Sequence, residues 1–298
     1  MSPQELQTLL SGTQAPLLVQ VLPEEVFTAR RIPGSVNACV YEVAFFDQLA
    51  AITSDKQTEI VVYGAGGGSL DALVAAEKLK AAGYGKVRAF EGGLEAWSAA
   101  GLALEGNGSI PEAPKLKGKF SVDTEQSLIR WTGRNLFNHH HGFIRLTGGE
   151  IELRDSQLVA AKLTINMSSI VCEDIPDSAI NEMLIKHLES DDFFDVSRFP
   201  TAEFEAESAA PIESCNDGSP NFVLRGRFTL RGVTKVIEFP IQVATADGKR
   251  LTAQGVLDLD RTEFGSVYGS GRLFRFLGKH IVNDHIHLHL KIHANLES

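Results

Sequence analysis

Sulfur is scarce in this 298-residue chain, and long apolar runs and clusters of basic residues are absent. The three cysteines, Cys39, Cys172 and Cys215, lie far apart and form no CxxC pair. That spacing excludes a disulfide framework or a zinc ribbon and fits reduced thiols. No apolar stretch approaches the ~20 residues of a membrane-spanning helix. The formal charge is −10, shared evenly: residues 1–106 carry 7 basic and 12 acidic side chains, and residues 107–298 carry 21 and 26, a net −5 in each part. Without a Lys/Arg run, nucleic acid is excluded as a partner, because phosphate backbones are held by clustered cations. The opening MSPQELQTLLSGTQAPLL has no charged n-region and no sustained apolar h-region. A secretory leader is therefore not expected, and a cytoplasmic location is. No nucleophile–base pair or carboxylate dyad emerges, which favours a binding protein over an enzyme.

What is present divides into two kinds of pattern, and the length suffices for two cores. Up to Gly106 the order is βα. PLLVQVL (Pro16–Leu22), the turn and strand Ile32–Ala38, TEIVVYG (Thr58–Gly64) and KVRAFEGG (Lys86–Gly93) read as strands. Between them the spacing predicts short helices after Pro23 and after Gly93, and a longer one over Ser69–Ala82 that Gly83 ends. Such alternation argues a parallel sheet covered on both faces.

The segments IPGSVN, VVYGAGGGS, AAGYGKVRAFEGGLEAW and AAGL together resemble a rhodanese domain. In that family a cysteine heads the six-residue loop after the central strand and carries sulfane sulfur as a persulfide. Here the loop is GAGGGS, and Gly64 stands at its head. Glycine offers no thiolate. Two positions usually Asp and Arg in the family are Gln20 and Leu22, and Cys39 lies after a different turn. The resemblance implies the scaffold without the sulfurtransferase activity. The same loop also reads as a small-anion cradle formed by Gly64, Gly66, Gly67, Gly68 and Ser69 at a helix start. A nucleotide loop is the weaker reading, since no Lys-Ser or Lys-Thr follows.

Residues 107–118 are rich in Gly, Pro and Lys without a period and read as a linker. From residue 119 to residue 298, alternating strands recur: LIRWTGR, GEIELRD, QLVAAKLTINM, NFVLRGRFTLRG, KVIEFPIQVAT, KRLTAQGVLDLD and HIHLHLKIHA. Gly148-Gly149, Asp217-Gly218 and Asp247-Gly248 are expected to turn the chain between them. One helix interrupts the strands. In DSAINEMLIKHLESDDFFDVSRFPTAEFE, Ile180, Met183, Leu184 and Leu188 recur at helical spacing behind a cap at Asp177 or Ser178, and Phe193-Phe194 follow.

This stretch, with GRFTLRGVTKVIEF (Gly226–Phe239), resembles the YceI-like, polyisoprenoid-binding family over roughly Lys119–Glu297. The expected fold is thus an α/β rhodanese-like parallel sheet followed by an antiparallel lipocalin-like β-barrel of about eight strands with a helical lid. The resemblance implies an apolar lipid ligand, an isoprenoid or quinone-like chain, and no certain cofactor. A filled core satisfies the alternation as well as a ligand tunnel does; the resemblance favours the tunnel.

For a tunnel, the wall residues would be Trp131, Phe137, Phe143, Leu163, Met167, Phe204, Phe228 and Leu288. The lid would add Ile180, Met183, Leu184, His187, Leu188, Phe193 and Phe194. Val159, Ala161, Leu163 and Ile165 are expected on one inward row, and Ile286, Leu288, Leu290 and Ile292 on another. His285, His287, His289 and His293 then face solvent. Of the nine histidines, His140, His141 and His187 are the candidate metal ligands; tuning of a lipid headgroup is the other reading of the same residues. A homodimer, and a protein partner docked on the first domain, stay open.

Overall fold

The structure is a computed structural model that describes residues 1–108, 114–213 and 215–297. It divides into two compact units, Met1–Glu112 and Ala113–Ser298. Within the expected linker, residues 109–113 lie outside the described residues. Leu116 at its far end is already part of the second core: it is buried and exchanges hydrogen bonds with Ser156.

The first unit is a four-stranded parallel sheet wrapped by helices. Its strands are β1 (Leu17–Gln20), β2 (Val36–Asn37), β3 (Ile60–Tyr63) and β4 (Val87–Phe90), in the order β2-β1-β3-β4. The helices are α1 (Pro3–Leu10), α2 (Glu24–Ala29), α3 (Phe45–Ile52), α4 (Asp71–Ala81) and α5 (Gly93–Ala99). All four residues of β3 are buried, as a central strand covered on both faces requires. One side packs Val19, Val62 and Leu79 with Phe45; the other packs Leu18, Val61 and Phe90 with Trp97. Helix α1, which the sequence reading left unassigned, starts in a capping box between Ser2 and Glu5 and buries Leu6.

The second unit is a closed antiparallel barrel. Its strands are β5 (Gly118–Val122), β6 (Leu128–Arg134), β7 (His139–Ile144), β8 (Leu146–Arg154), β9 (Gln157–Asn166), β10 (Val171–Cys172), β11 (Thr201–Pro211), β12 (Phe222–Leu230), β13 (Val233–Ala244), β14 (Arg250–Asp260) and β15 (His285–Leu296). Eight of them form the ring β5-β8-β9-β11-β12-β13-β14-β15, closed where Ala294–Leu296 pair with Phe120–Val122. The other half of the same edge of β15 holds β6, which carries β7 and then β10. Helix α6 (Ser178–Glu189) stands between β10 and β11.

Turn chemistry sets the register of two hairpins. Asp155-Ser156 and Arg231-Gly232 all have positive φ, the two-residue loop that matches strand twist. Gly148-Gly149, expected at a turn, instead lie inside β8 beside a register shift, and only the Asp217-Gly218 and Asp247-Gly248 pairs fall in turns. A second expectation fails at Val159, which is 45% exposed. In β9, Leu158 pairs with Leu153, yet Ala160 already pairs with Glu152. This bulge puts one extra residue on β9, so Leu158 and Ala161 face in and Val159 faces out.

Candidate functional site

Inside the barrel the inward rows meet around two cavities. The deeper one, about 80 Å³, is walled by apolar side chains apart from Gln254 and Gly255, among them Leu163, Phe204, Leu224, Phe239 and Leu290. The larger, about 360 Å³, lies toward α6 and has a mixed wall. Ile129, Ile165, Phe228, Leu259 and Leu288 line both, so the two spaces are separated only by side chains.

Helix α6 covers the larger cavity with one face. Asp177 Oδ1 accepts the Ala179 and Ile180 amides and fixes the helix start. The Asn181 side chain then donates to the carbonyls of Cys172 and Ile175, which sets the rotation of the helix. Leu184, His187 and Leu188 consequently line the cavity. Ile180 and Met183 do not; they are 51% and 63% exposed. Phe193 and Phe194 are buried in the wall, with the Phe193 ring 5.0 Å from His187 and 5.3 Å from Tyr268.

Of the other predicted wall residues, Trp131, Leu163, Met167, Phe204, Phe228 and Leu288 reach a cavity. Phe137 and Phe143 do not. Phe137 sits in the β6–β7 connection, 82% exposed. Phe143 alternates with the inward Ile144 and lies outside, 5.2 Å from the Arg145 guanidinium.

The larger cavity also has a polar end that the sequence reading missed. Arg261 is buried there, and its guanidinium donates to the carbonyls of Asn283, Ser266, Tyr268 and Val282, with the centre of charge 5.4 Å from the Phe193 ring. Burial lowers the pKa of this arginine from its usual value, partly offset by Asp284 and Asp260. Trp131 Nε1 is buried without a hydrogen-bond partner. A ligand oxygen at this end would satisfy it. The Asx cap of Asp260 on Thr262 was the available sequence signal for this corner.

Six of the nine histidines fall into three settings, and His280 lines the larger cavity. On β15, His285 and His289 are exposed, and His287 Nδ1 reaches Asp258 at 3.0 Å on the outer face. His187 pairs with Asp192 at 3.3 Å. His140 and His141 converge on Asp174: His140 Nδ1 lies 2.9 Å from Oδ2, and the His141 amide donates to Oδ1. Cys172 Sγ is 3.2 Å from the same carboxylate. Burial by itself would raise the Asp174 pKa, but the His141 amide, the His140 ring and the Cys172 thiol outweigh it and hold the carboxyl well below the usual range. Among the described residues, the metal-type donors that cluster are therefore His140, Cys172 and Asp174, within 4.8 Å of one another; His141 and His187 are not among them. The anchor of α6 keeps His187 on the Tyr268 side, 4.7 Å from that ring.

In the first unit, the GAGGGS loop is drawn onto its own chain. Gly66, Gly67 and Gly68 all have positive φ, a path that side-chain-bearing residues resist. The Asp71 carboxylate enters the curve and accepts from the Ala65 amide at 3.0 Å, the Ser69 hydroxyl at 2.8 Å and the Ala72 amide at 2.7 Å. A Cβ added at Gly64 would lie 2.1 Å from Asp71 Oδ1. The Leu94 and Glu95 amides at the start of α5 are taken by the carbonyls of Gly64 and Ala65. The space where a side chain at position 64 would stand thus holds a carboxylate. Gln20, on the neighbouring strand, donates to the Arg30 carbonyl and to the Tyr63 hydroxyl.

A parallel βα unit followed by a closed barrel with an internal apolar cavity under one helix defines a two-domain protein with a lipocalin-like second half. The YceI-like domain family matches residues 120–294, and the chain belongs to that family; a rhodanese-like domain matches residues 2–100. No curated protein matches the chain. Among solved structures it is similar to BcnA of Burkholderia cenocepacia, at 22% identity over 58% of this chain and 99% of that one, with a TM-score of 0.47. It is also similar to a polyisoprenoid binding domain from Saccharophagus degradans, at 13% identity over 60% of this chain and 98% of that one, TM-score 0.43. The YCEI protein of Campylobacter jejuni matches at 20% identity over 50% and 80%, TM-score 0.38. No described helix is long and apolar enough to cross a membrane.

Proposed function

We propose that the barrel binds a long apolar lipid, an isoprenoid or quinone-like chain, with its tail in the deep cavity and its polar end near Trp131 and Arg261. The observation that supports this most directly is the adjacency of the two cavities, which share five lining side chains, the smaller apolar and the larger polar toward α6. Each methylene buried there would contribute about 0.8 kcal/mol. Leu184 and Leu188 on α6 act as the lid over the chain. The rhodanese-like domain, with a carboxylate where the sulfur carrier would stand, serves as a non-catalytic docking or regulatory module. Organic extraction of freshly purified full-length protein, followed by mass spectrometry, tests the reading. A prenyl-type lipid in stoichiometric amount is expected; a reproducibly lipid-free, well-folded protein would overturn it.

A second reading is favoured by one observation, the His140–Cys172–Asp174 cluster. These donor types suit a transition metal such as zinc, and His140 also borders the cavity. Tag-free protein carrying one metal per chain, lost in a Cys172→Ser variant, would establish it; metal-free protein would remove it.

A further inference from the structure

The segment Phe264–Asn283 stands apart from the rest of the chain. It contains Arg272, Arg275 and Lys279 and no acidic residue, in a protein of formal charge −10. Apolar side chains are interleaved with these cations, and they face solvent: Leu273 and Phe274 are exposed, and Phe276 is fully so. Phe276 has a φ of 62°, a left-handed backbone that a bulky residue adopts only at a cost. Arg272 is held by Asp260 and Asp284. Arg275 and Lys279 are the exposed cations left beside the rings.

This segment is also the rim of the lipid cavity. Tyr268 and the run Lys279–Asn283 form part of its wall. Val282 bridges to Asn135, and the two residues after Asn135 are the exposed Leu136 and Phe137. Next to the segment, with the His187 ring 4.7 Å from Tyr268, α6 lines the wall with Leu184 and leaves Met183 in solvent. Three separate elements beside one cavity therefore expose large apolar side chains, which a water-facing surface disfavours.

We propose that this rim docks on an anionic lipid bilayer, with Phe274 and Phe276 entering the headgroup–acyl boundary while Arg275 and Lys279 contact acidic headgroups. Exposed rings beside cations are the side-chain combination that such an interface accepts. The cavity would then open toward the membrane, so that a chain passes between bilayer and barrel with little exposure to water. The inference rests on the lipid-binding reading above.

Co-sedimentation of the full chain with vesicles tests it. Vesicles of phosphatidylcholine alone and of phosphatidylcholine with phosphatidylglycerol are compared at low and high salt. The unmodified protein is expected to bind the anionic vesicles, and to release as salt rises. Arg275→Ala with Lys279→Ala is expected to weaken binding roughly 25-fold, at about fivefold per cation lost. Phe274→Ser with Phe276→Ser should weaken it with the salt dependence kept. Circular dichroism confirms that both variants fold. No binding of the unmodified protein to anionic vesicles, or equal binding by folded variants, overturns the proposal; a soluble protein partner would then be the occupant of the rim. Lipid extracted from the same preparations separates the two readings. A Phe274→Ser, Phe276→Ser protein, whose substitutions lie outside the cavity wall, that keeps bound lipid but loses vesicle binding supports docking and carriage alike. Unmodified protein that binds vesicles yet holds no lipid keeps the docking surface and sinks carriage.

Discussion

Replacing Gly64 by alanine tests directly whether the Asp71 carboxylate fills the first domain's loop. The backbone at Gly64 is not left-handed, so alanine is unstrained there and would by itself be neutral or stabilising by about 0.4–1 kcal/mol. Its Cβ, however, would sit 2.1 Å from Asp71 Oδ1. Asp71 is buried within a helix start and cannot simply swing aside. Moving it sacrifices the bonds from the Ala65 amide and the Ser69 hydroxyl. Bonds to a charged acceptor contribute about 1.5–3 kcal/mol each, so with partial rehydration of the displaced groups a net loss of about 3 kcal/mol is expected. For a domain of roughly 100 residues that corresponds to a fall in Tm of about 12–24 °C. In an Asp71→Ala background the clash is gone, and the same Gly64→Ala change should be neutral or mildly stabilising. Scanning calorimetry on the four proteins of this cycle reads the transition of the first domain. A coupling of about 3 kcal/mol is expected. Equal effects of Gly64→Ala in both backgrounds would refute the reasoning.

Other outcomes follow from the same geometry. The unmodified protein should show no thiosulfate:cyanide sulfur transfer above a blank, and Gly64→Cys alone should not restore it, because the new thiolate would face the Asp71 carboxylate; turnover by either protein counts against this. Leu184→Asp with Leu188→Asp should give a folded barrel that purifies without lipid, since a carboxylate at the cavity wall must desolvate at a cost of several kcal/mol; a full lipid complement would show that α6 is not the lid. Asp174→Asn should destabilise the barrel by about 1–2 kcal/mol in urea at neutral pH, where all three of its partners lose a charged acceptor. The folded carboxyl of Asp174 titrates below its unfolded value of about 3.9, so its stabilisation is present above that pH and fades as pH falls further. The two proteins should therefore converge on acidification, and a constant difference down to low pH would contradict the assignment.

Much of the architecture could be read from residue pattern because it depends on local chemistry. The βα order, the stop at Gly83, the Asp177 cap and the outward histidine row of β15 all follow from spacing and turn residues. The errors share another origin. Val159 faces out because a bulge changes the phase of β9, and alternation counted from one end of a strand does not register an inserted residue. Ile180 and Met183 belong to the apolar stripe of α6, but the Asn181 amide, bound to carbonyls outside the helix, decides which edge of that stripe turns inward. His187 was grouped with His140 by residue type, and the fold gives each its own carboxylate, Asp192 and Asp174. Nothing in the residue pattern marks Arg261 as buried, because the carbonyls that satisfy it are brought together only by the loop that folds over it.

The seam along β15 has a consequence for how the barrel comes to exist. One edge of this strand pairs with β14 along its length, and the other is shared between β6 and β5, the earliest strands of the unit. The ring therefore closes through partners at opposite ends of the domain sequence, and this is the loop closure with the greatest entropy cost. Hairpins such as β8–β9 and β12–β13 can form early, while the cylinder remains an open, curled sheet until β15 docks. During that interval the future interior is accessible from the side, so that a ligand of the kind proposed could be laid in rather than threaded from one end. Loading during folding would leave the finished barrel with a kinetically trapped occupant, and refolding in the presence and absence of lipid would distinguish the two histories.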